Sequence, residues 1–238
     1  VTRVGCCGFP GAMAKYWELF RVVEVQRSFY KPPKRETAER WRREAPAGCE
    51  FTLKAWQLIT HEPSSPTYRK AGLEIDPDKR VRYGFFRDSE EVWEAWRVTR
   101  EIAQALQARV ILFQCPARFT PMKENIRNLV SFFSRLKGES FRFVWEPRGD
   151  WPAEMIAELC RKLDLIHCVD PLMARPLWGD FCYFRLHGIG GYRYRYTDED
   201  LVALQTRIPE GKTCYLMFNN VFMAEDARRF QELLDRGS

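Results

Sequence analysis

SEEVWEAWRVTREIAQALQARVILFQC, residues 89–115, carries the pattern that decides the fold. Apolar residues recur every three or four positions through 89–107, the spacing of one helix face. A short apolar, strand-forming run follows at 109–115 with almost no linker. A long amphipathic helix feeding a buried strand is one step of a β/α alternation. The same alternation extends in both directions. Strands are expected at 3–7, 22–29, 50–56, 109–115, 141–146, 165–169, 182–187 and 214–219. Helical patterns fall at 36–45, 89–107, 123–137, 153–163, 198–206 and 224–236, with a short one at 13–20. The sixth connection, 170–181, contains Pro171 and Pro176 and has room for one turn of helix at most.

Alternating strands and helices imply parallel strands joined by right-handed crossovers. Eight such units close into a barrel. The expected fold class is therefore α/β, a parallel (β/α) barrel of the TIM type, as one domain over 1–238. An open doubly wound sheet is the rival. It calls for a GxGxxG turn after the first strand, and none is present. The stretch 61–88 follows the third strand and carries Pro63, Pro66, Pro77 and many charges. It reads as a long loop over the face where the strands end.

Composition narrows the class. The chain has 238 residues, 45% hydrophobic and 29% charged, an ordinary globular balance. No apolar run is long enough for a membrane span, and the first residues lack the apolar core of a signal peptide. The expectation is a cytoplasmic protein with no membrane partner. The net charge of +6, with Lys and Arg gathered in 27–54 and 67–87, favours anionic partners. Eight cysteines form no CxxC pair, and most lie in apolar segments, so they read as buried reduced thiols. Four asparagines beside abundant Arg and Glu is a composition of thermophile type.

Side chains two apart on a strand share a face. In the second strand Glu24, Gln26, Ser28 and Tyr30 fall on one face. In the fifth, Arg142, Val144, Glu146 and Arg148 align. In the seventh, Tyr183, Arg185 and His187 do. Lys54 lies near the end of the third strand and Gln114 ends the fourth. Asp170 follows the sixth, and Asn219 ends the eighth. Polar groups thus recur near the ends of strands two to eight, where a barrel interior is otherwise filled by branched apolar side chains. Burying them is costly unless they pair or meet ligand. The stretch HGIGGYRYRYT at 187–197 adds Gly188, Gly190 and Gly191 with Arg193 and Arg195. It reads equally as an anion-binding loop or as a glycine-bearing turn.

The chain resembles the YecE-like family, domain-of-unknown-function family 72, over nearly its whole length. The resemblance rests on VGCCGFPG, VEVQRSFYKPP, FTLKAWQLITH, FQCPARF, WEPRGDW, YFRLHG with YRYRYTDEDL, and YLMFNNVFMAEDA, in this order. It implies a TIM-like barrel without an assigned reaction. It also implies a polar set of Glu24, Ser28, Tyr30, Lys54, Thr60, His61, Gln114, Glu146, Arg148, Arg185, His187, Gly188, Asn219 and Asn220. The chain departs from the family at Cys6–Phe9, where a Thr/Ser-Gly-Trp opening is usual, at Gln26, where Asn is usual, and across 61–88.

Four residues are expected to carry chemistry. Glu24 and Glu146 are acid/base candidates, His187 a proton shuttle, and Lys54 a cation for developing negative charge. Ser28, Tyr30, His61, Gln114, Arg148, Arg185, Gly188, Gly190, Gly191, Asn219 and Asn220 are the candidate substrate-binding residues. No cofactor is expected. Glu24, Glu146, Asp170 and His187 are the weak candidates for a divalent metal. The expected function is an enzyme acting on a phosphorylated or polyanionic substrate, by hydrolysis or acid/base isomerisation. The alternative is a barrel that binds nucleic acid without chemistry. The partner is accordingly an anionic small molecule or a nucleic acid, and the oligomeric state stays open.

Overall fold

The computed structural model describes residues 1–236. Eight parallel strands close in sequence order into a barrel. They are β1 (Thr2–Cys7), β2 (Val22–Val25), β3 (Glu50–Lys54), β4 (Val110–Gln114), β5 (Arg142–Glu146), β6 (Leu165–Val169), β7 (Cys182–Leu186) and β8 (Cys214–Phe218). Helices cover the outside: α1 (Met13–Leu19), α2 (Arg27–Tyr30), α3 (Arg35–Glu44), α4 (Gln57–Thr60), α5 (Pro66–Ala71), α6 (Glu90–Leu106), α7 (Lys123–Arg135), α8 (Ala153–Leu163), α9 (Asp198–Gln205) and α10 (Met223–Arg236). Residues 237 and 238 of the expected domain lie outside the described residues.

Each strand presents one parity to the helices and the other to the barrel axis. Outward go Phe113, Phe143 and their neighbours, which meet Trp96, Phe132 and Phe133 from α6 and α7 in a continuous aromatic layer. Inward go Val22, Val110, Leu112, Val144, Ile166, Cys168, Tyr183 and Met217, a second apolar cluster along the axis. Helix starts follow their chemistry. Ser89 accepts from the Val92 N–H at the head of α6. Thr197 and Asp200 form a reciprocal capping box at α9. No regular element lies between β6 and β7, as the two prolines require.

Two expectations are corrected. The second strand ends at Val25, not at residue 29. Its β-branched run stops there, and the chain turns helical from Gln26 (φ −88°, ψ −28°). Ser28 Oγ then donates to the carbonyls of Val25 and Lys54, at 2.9 and 2.6 Å, and secures the turn. The third strand likewise ends at Lys54 and is followed by the single turn α4.

The stretch 61–88 is not an irregular loop. It contains α5 and a 3-10 turn over Pro77–Arg82. Its end folds back onto α4: the N–H groups of Gly84, Phe85 and Phe86 donate to the carbonyls of Leu58, Thr60 and Ile59. All three residues are left-handed, with φ of 76°, 53° and 54°. A side chain at Gly84 would sit 2.4 Å from the His61 carbonyl oxygen, so only glycine fits. The turn drives Phe86 into the aromatic layer, against Phe113, Phe119, Phe132 and Phe133.

Phe86→Ala is therefore expected to cost about 3–5 kcal/mol. Val81→Ala in the same stretch, at a position 74% exposed, should stay within about 0.5 kcal/mol, both read by urea unfolding. Two buried histidines set a pH response. Burial lowers His167 from 6.5 to about 4, and its Nδ1 accepts from the Leu177 N–H. Burial, with Lys54 adding repulsion, lowers His61 from 6.5 to about 3. Both stay neutral when folded but take a proton in the unfolded chain. Their contribution is complete above 6.5 and is lost as pH falls toward these lowered values. Unfolding free energy should fall between pH 6.5 and 4, with a shallower slope in His167→Gln.

Candidate functional site

The polar residues of the barrel interior lie at its carboxyl end, because the inward parity of β2, β3, β4, β5, β7 and β8 runs out on one. Glu24 ends this series on β2, Lys54 on β3, Gln114 on β4 and Glu146 on β5. Arg185 on β7 is followed by His187, and β8 by Asn219. Arg185 is wholly buried, as is Glu24. Its guanidinium spans two carboxylates: Nη2 donates to Glu24 Oε1 at 2.9 Å, Nε to Glu24 Oε2 at 3.1 Å, and Nη1 to Glu146 Oε2 at 2.7 Å. Tyr183 OH donates to Glu24 Oε2 at 2.8 Å and lies 2.7 Å from Thr52 Oγ1. Gln26 Nε2 donates to Glu24 Oε1. Arg185 Nη2 also meets Cys7 Sγ at 3.6 Å.

The electrostatics follow from this pairing. Burial alone would raise the Glu146 carboxyl, but Arg185, a hydrogen bond from His187 and the charge of Arg148 hold it well below its ordinary value. Burial opposes the charge on Arg185, yet Glu24 and Glu146 push it further up. Burial and the Glu24 charge push up both the Tyr183 phenol and the Cys7 thiol. Arg185 and Glu146 are therefore charged, while Tyr183 and Cys7 stay protonated.

The rim above this layer is open. Glu146 Oε1 accepts from Arg148 Nε at 2.8 Å and lies 3.1 Å from His187 Nε2. Arg148 Nη2 lies 2.5 Å from the same Nε2. These two imidazole contacts exclude each other. Nε2 must be bare to accept from Arg148 and must carry hydrogen to donate to Glu146. Asn219 Nδ2 lies 3.0 Å from the other ring nitrogen, Nδ1. Burial lowers the His187 pKa, against an upward pull from Glu146. Burial thus favours the neutral ring, whose single hydrogen decides the contact: on Nδ1 it leaves Nε2 open to Arg148 and faces the Asn219 amide oxygen, and on Nε2 it points to Glu146 and leaves Nδ1 to the Asn219 amide nitrogen.

The structure gathers Glu24, Lys54, Gln114, Glu146, Arg148, Arg185, His187 and Asn219 at this mouth. Other expected binding residues are elsewhere. Ser28 is occupied in the α2 turn. Tyr30 is half-buried beneath Lys70, whose Nζ lies 4.9 Å from its ring. His61 and Thr60 are buried and bonded to each other at 2.8 Å. Asn220 turns away to the Asp226 carboxylate and the Tyr194 carbonyl, since adjacent residues leave a strand on opposite sides. Gly188, Gly190 and Gly191 form a left-handed turn. The Gly188 N–H is taken by Tyr196 OH, and Arg195 pairs with Glu225. The four residues weighed for a metal do not converge. Arg185 lies between the two carboxylates, and Asp170 accepts from the N–H groups of Leu172 and His187. Among the described residues no group of three or more His, Cys, Asp or Glu is placed to hold an ion.

Sequence reasoning set Tyr183 on the same face as Arg185 and His187 but left it out of the candidate residues, and it did not name Thr52, Cys7 or Phe29 among them. Thr52 and Cys7 have inward parity and could have been found by it, had a threonine and a thiol not read as core. Phe29 could not, because α2 reverses its expected direction and sets its ring under the Lys54 amine at 3.7 Å.

Arg185→Leu leaves two carboxylates buried together. It should cost about 3–5 kcal/mol in urea unfolding. Adding Glu24→Gln and Glu146→Gln to it should restore most of that loss.

The family model for "Protein of unknown function DUF72" matches residues 10–238. A DUF72 family protein from Enterococcus faecalis V583 is similar at 19% identity and a TM-score of 0.73, covering 99% of this chain and 98% of that one. One from Thermotoga maritima MSB8 is similar at 22% identity and a TM-score of 0.65, covering 99% of each chain. A xylose isomerase domain containing protein from Salmonella typhimurium LT2 shares the fold at 13% identity and a TM-score of 0.59, covering 98% and 95%. No curated protein matches. A closed barrel with this family's motifs in order along its strand ends, matched by the family model over most of its length, belongs to the DUF72 family.

Proposed function

We propose that this protein is an enzyme that moves a proton on a small anionic substrate bound at the barrel mouth, an isomerase-type reaction. One observation carries the reading: His187 Nε2 is shared between Arg148 and Glu146 in contacts that exclude each other. A neutral imidazole accepts a proton from substrate. Once protonated it repels Arg148 and binds Glu146, which is already anionic. Arg148, released from the ring while its Nε stays on Glu146, then turns its 37% exposed guanidinium to an anionic group. Asn219 fixes the ring through Nδ1. Glu24 and Arg185 are too enclosed to touch substrate first and act by positioning Glu146.

Hydrolysis of a phosphoester is the less favoured outcome, since both glutamates of the site are engaged by Arg185 and neither is placed as a protonated acid for a leaving group. The rim also exposes Tyr192 and Phe222, the latter 5.8 Å from the Arg195 guanidinium, an arrangement that would suit nucleic acid stacking.

The test is incubation with phosphorylated aldoses and ketoses in deuterated buffer, with mass spectrometry of the recovered compounds. Deuterium uptake at carbon is expected, falling by about 10²–10⁴-fold in His187→Gln. Arg148→Met should mainly raise KM. No uptake across the panel, together with polynucleotide binding that weakens steeply with salt, would replace this reading with the binding one.

A further inference from the structure

Lys54 is unlike every other lysine in the chain. The other nine are exposed, and Lys54 is buried. Among the described residues no carboxylate lies within salt-bridge distance of its Nζ. The amine has one hydrogen-bond partner, the neutral amide oxygen of Gln114 at 2.7 Å. Beneath it is the Phe29 ring, 3.7 Å away. That same Gln114 oxygen accepts from Arg185 Nη1 at 3.4 Å. Two cationic groups therefore converge on a single uncharged acceptor, and only one of them, Arg185, has carboxylates of its own. A buried ammonium so placed gains by losing its proton. Burial and, after it, Arg185 bring the Lys54 pKa from 10.5 down to about 7, against smaller upward pulls from Glu146 and Glu24.

An amine that is free of its proton at neutral pH is a nucleophile, and carbonyl carbon is its natural target. We propose that Lys54 forms an imine with a small oxo compound that also bears an anionic group. This rests on the reading of the rim as a substrate site and names the substrate class that site takes.

The step balances as follows. The Lys54 nitrogen pair attacks the carbonyl carbon, the N–C bond forms, and the C=O π pair moves to oxygen. A proton passes from nitrogen to that oxygen, giving a carbinolamine. One proton from solvent then removes the hydroxyl as water, and the nitrogen pair closes the C=N bond as an iminium. The iminium draws electrons from the adjacent carbon, so a proton there becomes removable by His187. Gln114, half-buried at the end of β4, is the side chain that must yield for the carbonyl to enter. The anionic group then faces Arg148.

The experiment is reductive trapping. The full chain is incubated at neutral pH with glyoxylate, pyruvate or dihydroxyacetone phosphate, each with cyanoborohydride, which reduces C=N to a stable secondary amine. Intact mass and peptide mapping locate the adduct. One adduct per chain is expected, on the peptide containing Lys54, formed at least tenfold faster than on any exposed lysine. Lys54→Met should lose it, with thermal unfolding confirming that the variant is folded. Competitive labelling of the wild-type protein with formaldehyde and cyanoborohydride gives a check that needs no variant: Lys54 should be modified ahead of the nine exposed lysines. Labelling spread over the surface lysines with Lys54 untouched overturns the proposal. So does an anion that protects Lys54 without adduct formation, which would make it an anion-holding cation.

The two readings fail separately. Adduct at Lys54 with no deuterium uptake keeps the imine and discards the proton transfer. Deuterium uptake that persists in Lys54→Met does the reverse.

Discussion

The bond between Arg185 and its two glutamates is the constraint on which this barrel depends. A barrel of this size fills its axis with side chains and leaves no room for water to solvate an ion. Glu24, wholly enclosed, is tolerable there only because a guanidinium presents two parallel donors to it. The third donor direction reaches Glu146, so a single arginine on β7 ties β2 to β5 across the axis. Tyr183 and Thr52 complete the set from below. The geometry of the mouth is thus set from within the barrel, and the rim residues inherit fixed positions from it.

That inheritance gives the rim its chemistry. Glu146 has one oxygen committed inward to Arg185 and one turned outward to Arg148 and His187. Its charge is fixed by the buried partner, so the exposed imidazole sees a constant anion. Lys54 is the opposite case. It is close to the same arginine but without a counter-ion, so its protonation is the variable one.

The fold was legible because β/α alternation is a long-range regularity that survives errors at single boundaries. The strands carrying Gln114, Glu146, Arg185 and Asn219 were read within a residue or two of their observed limits. Parity then delivered the inward residues. It failed where four-residue turns interrupt a strand-like pattern. Val25-Gln26-Arg27-Ser28-Phe29 alternates well enough on paper, yet Arg27–Tyr30 is helical, and Ser28, Phe29 and Tyr30 were misdirected together. Asn220 was grouped with Asn219 by chemistry, although their adjacency already placed them on opposite sides. The hydrogen-bond conflict at His187 is three-dimensional and leaves no trace in spacing.

The turn at Gly84–Phe86 has a consequence for how such a barrel can diversify. Its hydrogen bonds to Leu58–Thr60 close the stretch between them into a handle with a common base. Whatever lies inside the handle is decoupled from strand register, because the closure is made by the turn and not by the barrel. Loop closure grows only slowly more costly with length, so the interior can gain or lose residues while Phe86 keeps its place in the aromatic layer. The handle begins next to Lys54 and Phe29. It is an exchangeable cassette fixed to an invariant chassis, and selectivity could be rewritten there without disturbing a single buried charge.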